Sequence, residues 1–275
     1  MDIFGIFVRL VLVLLSIASF LPQLQLIWTN RHCTGISLAY ILCNLIVATF
    51  HLTLALHFVV IESEGRFLSN DPPDARDWLN LIQFLVAWLG QLCLFSLALA
   101  LPPQRTARKG GLMIAYLLFL SITLLPTIMV ASESEEDQDQ GWASDLLVGA
   151  LVYLVAPGVQ AIGVLAFIAQ ARETFRHHGS GSLSVRGLFM QAAVFSLVGI
   201  SFMFRLKLPA ENWKYYLPNV LREWYWLVGW ATLNNLIFAL AQGVLGWILV
   251  RQQKEDVMQI FSCKTPGTPG TPYSD

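Results

Sequence analysis

"ASFLPQLQLIWTNRHCTGIS", residues 18–37, sets Pro22 and Gln23 late in a long apolar run. Proline removes a backbone donor and presses on the carbonyl one turn earlier, and a buried amide gives up its water. Whether a chain tolerates both depends on what surrounds the run. Apolar stretches occupy about residues 3–28, 36–60, 78–101, 111–131, 143–170, 182–204 and 224–250. Each is near or above the roughly 20 residues a helix needs to cross the hydrocarbon core. Only 13% of the 275 residues are charged and 56% are hydrophobic, against about a quarter charged in soluble domains. Too little polar surface is left to cover a soluble bundle of seven such helices. The fold class is therefore all-α integral membrane, with seven transmembrane helices.

The first stretch, 26 residues long, exceeds the 7–15 apolar residues of a signal peptide and is read as a retained helix. Cys33, Cys43, Cys93 and Cys263 fall in spans or in segments assigned to the cytosol, and no Asn-x-Ser/Thr sequon occurs. A disulfide framework is not expected. Charge sets the orientation. The 1–2, 3–4 and 5–6 loops, the tail and Arg186 hold ten Lys and Arg against four acidic residues; the other side holds seven basic and fourteen acidic. The short 3–4 loop PPQRTARKG (102–110) carries the bias most clearly, and the positive-inside rule assigns that side to the cytosol. The N-terminus is then outside or lumenal.

A shift of 147 residues brings Phe20 onto Phe167, Gln23 onto Gln170 and Ser37 onto Ser184 without a gap. Residue class matches further: Trp28 meets Phe175, Ile36-Ser37-Leu38 meets Leu183-Ser184-Val185, and Asn44 meets Gln191. The offset carries span 1 onto span 5, four crossings on, so both copies point the same way. The expected plan is two parallel three-helix repeats joined by a linker helix (3+1+3). Residues 1–104 form the first repeat, 105–142 the linker helix and acidic loop, 143–250 the second repeat, and 251–275 a disordered cytosolic tail.

With the motif LPQLQLIWTNRHCTGISL (21–38) followed by an apolar span, the chain resembles the PQ-loop family. That family includes the lysosomal cystine and cationic amino-acid exporters and is akin to the SWEET sugar carriers. The second copy, IAQARETFRHHGSGSLSV (168–185), has Ala169 where the proline would stand. The resemblance implies a carrier of small polar solutes such as amino acids, a vacuolar or lysosomal membrane, and a motif that swings as the cytosolic gate opens. Proton-coupled members carry a titrating aspartate in the last span. Here that region reads Asn234-Asn235 and no Asp or Glu lies deep in any span, which fits facilitated diffusion or exchange.

Pro22 frees the carbonyl of Ala18, which needs another partner in a bilayer; Ser16 and Ser19 are close along the chain. The neighbouring amide, Gln23, can tie this segment to another helix or release it. A fixed kink is the plainer alternative. Span 5 lacks the matching proline but has Pro157, which would free the carbonyl of Tyr153; Pro22, Gln23, Gln170 and Pro157 are the hinge candidates. Polar side chains at membrane depth should face the interior, so Asn44, His51, Gln83, Gln91, Gln191, Asn234 and Asn235 are candidates for binding a small polar solute. Each alone reads first as interhelical glue, worth about 0.6 kcal/mol, and it is the cluster as a set that points to a site.

The remaining features read as structural. Trp213, Tyr215, Tyr216, Trp224, Tyr225 and Trp226 suit an interfacial belt, SESEEDQD (132–139) a solvated loop, and the Thr-Pro pairs of the tail phosphorylation sites. His177-His178 lacks further ligands, so no metal site, cofactor or nucleic-acid partner is expected. A seven-helix receptor or a scaffold without flux are the competing classes. A membrane-embedded enzyme, which would depend on Asp145 or Glu223, ranks below them, and no enzymatic activity is expected.

Overall fold

The computed structural model describes residues 3–61, 73–102, 106–132, 141–176, 181–205, 224–225 and 229–263. These are helical, with no strand among them. In chain order the helices are α1 (Ile3–Asn30), α2 (Leu38–Leu56), α3 (Ala75–Ala100), α4 (Thr106–Ile122), α5 (Leu124–Ser132), α6 (Gly141–Ala150), α7 (Ala156–Arg176), α8 (Val185–Met203) and α9 (Trp230–Cys263). A π-helical turn, His57–Ile61, extends α2, and another, Leu151–Val155, joins α6 to α7. Seven stretches are long and apolar enough to cross a membrane: Phe4–Asn30, Leu38–Val60, Ala75–Ala100, Lys109–Ala131, Leu146–Arg176, Val185–Met203 and Trp230–Glu255. Large apolar side chains such as Phe4, Leu118, Leu154 and Leu240 point outward, as lipid-facing residues must. The chain is an all-helical, multi-pass integral membrane protein.

The helix starts follow from local chemistry. Ser37 and Ser184 cap α2 and α8, accepting from the N–H of Tyr40 and Gly187. Asp74 caps α3 in a reciprocal box with Asp77. At the other end of α3, the Lys109 ammonium donates to the carbonyls of Leu99 and Leu101 at 2.7 and 2.8 Å, where the helix dipole favours a cation.

Packing divides the bundle in two. α3 lies against both α1 and α2, and α9 lies against both α8 and α7; α1 meets α8 and α2 meets α7. Bilayer lipid offers no hydrophobic drive for helices to associate, so close approach depends on small residues. A Cβ on Gly90 would lie 2.7 Å from the Phe20 ring, and one on Gly199 would lie 3.0 Å from Leu236. α4 and α5 pack on α2. The Tyr116 hydroxyl of α4 sits 3.3 Å from Thr49 Oγ1 and accepts from Trp88 Nε1 at 3.2 Å, which ties the fourth span to the second and third.

Two expectations change. α9 runs to Cys263, so the part of the expected tail at 251–263 is helical. Its Gln, Lys, Glu and Met residues are good helix formers, and the Thr-Pro-Gly repeats begin only after it. The hydroxyls of Ser16 and Ser19 donate to Leu12 O and Ser16 O at 2.8 Å each, so both are committed before the carbonyl of Ala18. α1 keeps its helical course through Pro22. His177-His178, Glu223, the tail beyond Cys263, residues 133–139 of the acidic loop, and Trp213, Tyr215, Tyr216 and Trp226 lie outside the described residues.

Candidate functional site

The Pro-Gln segment meets the other half of the molecule. Gln23 donates from Nε2 to Ser182 O and accepts at Oε1 from Ser184 N, both at 2.8 Å. Gln170 does the same in reverse, donating to Gly35 O at 2.8 Å and accepting from Ser37 N at 2.9 Å. All four contacts obey the 147-residue offset: 23 and 170, 35 and 182, 37 and 184. Each amide therefore holds the loop that leads into the cap of the opposite half's second helix. Both are buried, Gln170 completely. Amides suit this task because they carry a donor and an acceptor side by side, matching a backbone C=O and N–H two residues apart.

One further clasp joins the same two loops. Ser182 Oγ donates to His32 O at 2.7 Å and lies 2.8 Å from His32 Nδ1, while Ser182 N donates to Thr34 O at 2.9 Å. Gly181, at φ +51°, makes this possible: a Cβ there would lie 2.5 Å from Thr34 O. Cys33, in the same loop, is 1% exposed. Burial pushes its thiol pKa up, against the opposing pull of the Lys109 charge.

Between the two halves lies a cavity with about 500 Å³ of empty volume, including space open to solvent. Asn44, His51, Gln83, Gln91, Asn234 and Asn235 line it, beside Phe20, Phe84, Phe195 and Phe238. Six of the seven candidate solute residues thus share one space. The seventh, Gln191, lines a second cavity of about 340 Å³ together with Gln23 and Tyr40, and Gln91 borders both. Gln191 thus lines a different cavity from its repeat mate Asn44. The Phe20 and Phe195 rings meet edge to face at 6.0 Å at the wall of the central cavity.

Inside the cavity the amides are oriented by specific bonds. Asn234 Nδ2 lies 2.9 Å from His51 Nε2; an amide nitrogen only donates, so Nε2 accepts and the ring carries its proton on Nδ1. Gln83 Nε2 donates to Ser16 Oγ at 2.6 Å, leaving Gln83 Oε1 buried with no partner among the described residues. Asn44 and Asn235 donate to the backbone carbonyls of Tyr40 and Ala231.

On the side away from the Pro-Gln motif, Phe84 stacks on Phe202 at 4.9 Å and on Trp230 at 5.8 Å, and His51 packs against Trp230 at 5.3 Å. Beyond this aromatic layer lies a third cavity lined by Asn80, Phe84, Phe202 and Trp230. There Arg205, just past α8, donates to Asn80 Oδ1 at 2.8 Å and to Ser201 Oγ, with its guanidinium 4.0 Å over the Phe202 ring. Burial, with Arg9 nearby, lowers its pKa to about 9, so it remains a cation at neutral pH.

Pro157 follows directly on the π-helical turn, where Ala156 N reaches back to Leu151 O. Several residues escaped the sequence reading. Ser182 and Gly35 contribute backbone atoms, which side-chain identity does not advertise. Gln242, fully buried and 3.0 Å from the Tyr40 hydroxyl, obeys the same rule of polar residues at depth that selected the others.

Residues 4–60 match the family described as PQ loop repeat. The first two spans carry a PQ loop repeat. The match takes in Pro22, Gln23, Gly35 and Ser37, and the second copy, with Ala169, falls beyond it. No curated protein and no solved structure matches the chain. A membrane protein with seven spans and a PQ loop repeat in the first two is compatible in kind with a membrane transporter.

Proposed function

We propose that the protein carries a small polar solute across the membrane by alternating access, with Pro22-Gln23 and Gln170 acting at one gate. One observation carries this reading: an amide-lined cavity lies between two halves that are held together on one side by a reciprocal pair of breakable amide clamps. A static scaffold gains nothing from a polar space at membrane depth, where polar groups are costly. A carrier needs such a space, and needs closing contacts weak enough to part. The aromatic layer of Phe84, Phe202 and Trp230 is the natural second gate. The two groups of three helices are the moving bodies in this scheme, and α4–α5 rides with the first through Tyr116.

In this scheme the clamp side faces the cytosol, following the excess of Lys and Arg in its loops, and the membrane is that of a vacuole or lysosome. The solute leaves chemically unchanged, with no enzymatic step, and an amino acid or a similar small molecule is the family-based expectation. Counterflow in proteoliposomes tests the proposal. The expected result is saturable exchange that weakens in Gln23→Ala. Absence of any saturable flux from folded protein would instead favour a receptor or scaffold. Fluorescence of a tagged chain against organelle markers tests the location.

A further inference from the structure

The chemistry of the cavity wall restricts the solute further. Its polar members are five amides and one imidazole, and among the described residues no Asp, Glu, Lys or Arg lines it. The imidazole is occupied, because His51 Nε2 takes the Asn234 amide hydrogen at 2.9 Å. Arg205 bonds Asn80 and lies over the Phe202 ring, both of which line a different cavity. A cation or carboxylate entering here would shed its water and meet no opposite charge, which is costly at membrane depth.

The orientation of one amide adds a second constraint. Ser16 gives its proton to Leu12 O, and Gln83 gives one of its own to Ser16 Oγ. This chain fixes the Gln83 nitrogen toward α1 and leaves Oε1, on a residue 3% exposed, with no donor among the described residues. A buried acceptor without a partner favours a ligand that brings an O–H or N–H. Gln91, also lining the cavity, makes no side-chain hydrogen bond to a described residue and can serve such a ligand as donor and acceptor. The Phe20, Phe195 and Phe238 rings supply apolar surface for its carbon frame.

We infer that the central cavity selects an uncharged solute bearing hydrogen-bond donors, and discriminates against ammonium- and carboxylate-bearing solutes. This rests on the carrier reading and departs from its amino-acid expectation. The test is exchange in proteoliposomes at pH 6.5 with matched probes: glucose, glucosamine and gluconate, then mannitol and nicotinamide against threonine and lysine. The expected result is saturable exchange of at least one uncharged probe, with its charged counterparts slower by about a hundredfold or more. Gln83→Met should raise the KM for that probe about tenfold. Gln83→Glu and, independently, Gln91→Glu should move the preference toward glucosamine and lysine.

Threonine, lysine or gluconate carried as well as the uncharged probes by the unaltered protein would overturn the inference while leaving a carrier in place. So would Gln83→Met and Gln91→Glu variants that fold and keep the original KM and charge preference. No saturable exchange of any probe, from protein with a normal melting transition, would overturn the carrier reading and this inference together.

Discussion

The reciprocal clamps predict how the motif side opens. Gln23 and Gln170 each make two hydrogen bonds to the opposite loop, at 2.8–2.9 Å. A hydrogen bond contributes a net ~0.5–1.5 kcal/mol, so Gln23→Ala removes about 1–3 kcal/mol from the closed arrangement. If the clamp parts on opening, the open population rises by about 5- to 150-fold. Gln170→Ala should act with similar size, and its added bond to Thr174 Oγ1 at 3.2 Å lies within its own helix. If both clamps close the same gate, as proposed, their free energies should add in the double variant.

Cys33 supplies the reporter. It sits in the clamped loop, 1% exposed, with its backbone N–H donating to Pro102 O at 3.1 Å. Its thiol pKa is raised by burial, so alkylation requires opening both for access and for thiolate formation. With Cys43, Cys93 and Cys263 replaced by serine, the rate of Cys33 modification by a membrane-impermeant maleimide reads the open fraction. The single variants should react about 5- to 150-fold faster and the double variant by about the product. A rate within twofold of the parent in the double variant, with an unchanged melting temperature, would refute the gate. Protein merely loosened elsewhere is excluded by Tyr116→Phe, which should leave the rate alone.

That same Tyr116→Phe variant removes the hydroxyl that joins α4 to Thr49 and Trp88, and thermal unfolding in detergent should register a loss of about 1 kcal/mol. Gly181→Ala forces a Cβ to 2.5 Å from Thr34 O at a positive φ. It should cost about 1–2 kcal/mol in backbone strain alone and speed Cys33 alkylation, whereas an unchanged rate would remove the loop contact from the gate. Desolvation raises the Asp74 pKa, but the hydrogen bonds from Arg76 and Asp77 and the Arg76 charge together outweigh it and bring it down to about 2. A depressed carboxylate stabilises the fold above its unfolded pKa of about 3.9 and loses that contribution as pH falls toward 2. Asp74→Ala should therefore lower stability by about 1 kcal/mol, evenly from pH 5 to 8, and the two proteins should converge only as pH falls through about 2.

The seven spans were legible because the bilayer imposes length and apolarity on each stretch separately. The clamps were half legible. Gln23 and Gln170 stand out as amides in apolar runs, but their partners are backbone atoms 159 and 161 residues away for Gln23 and 135 and 133 away for Gln170. The 147-residue offset already paired Gly35–Ser37 with Ser182–Ser184. What it lacked was the knowledge that α1 packs on α8 and α2 on α7. Depth and polarity brought out the cavity amides, yet could not tell which of two stacked spaces each faces; Gln191 went to the other one. The aromatic layer was invisible for a different reason. In a chain with 17 Phe and 9 Trp, nothing in the string separates Phe84, Phe202 and Trp230 from rings that face lipid.

The two halves carry their irregular backbone at different depths, which bears on how a rocking motion would divide. In α1, Pro22 is adjacent to the clamping amide. In the fifth span, Pro157 precedes Gln170 by thirteen residues, or about 20 Å of helix, and the π-helical turn Leu151–Val155 sits just before it. A proline's missing donor and a widened turn are both places where a helix bends cheaply. α1 is thus weakest at the motif side and the fifth span is weakest toward the opposite side. Each gate would then have one first helix of its repeat able to yield beside it. Pro22→Ala should change alkylation of Cys33 by fivefold or more and leave alkylation of an Ala55→Cys reporter, in the opposite-side cavity, within twofold. Pro157→Ala should do the reverse. If both substitutions move both reporters equally, bending is shared along the helices and the offset prolines do not divide the gates between the halves.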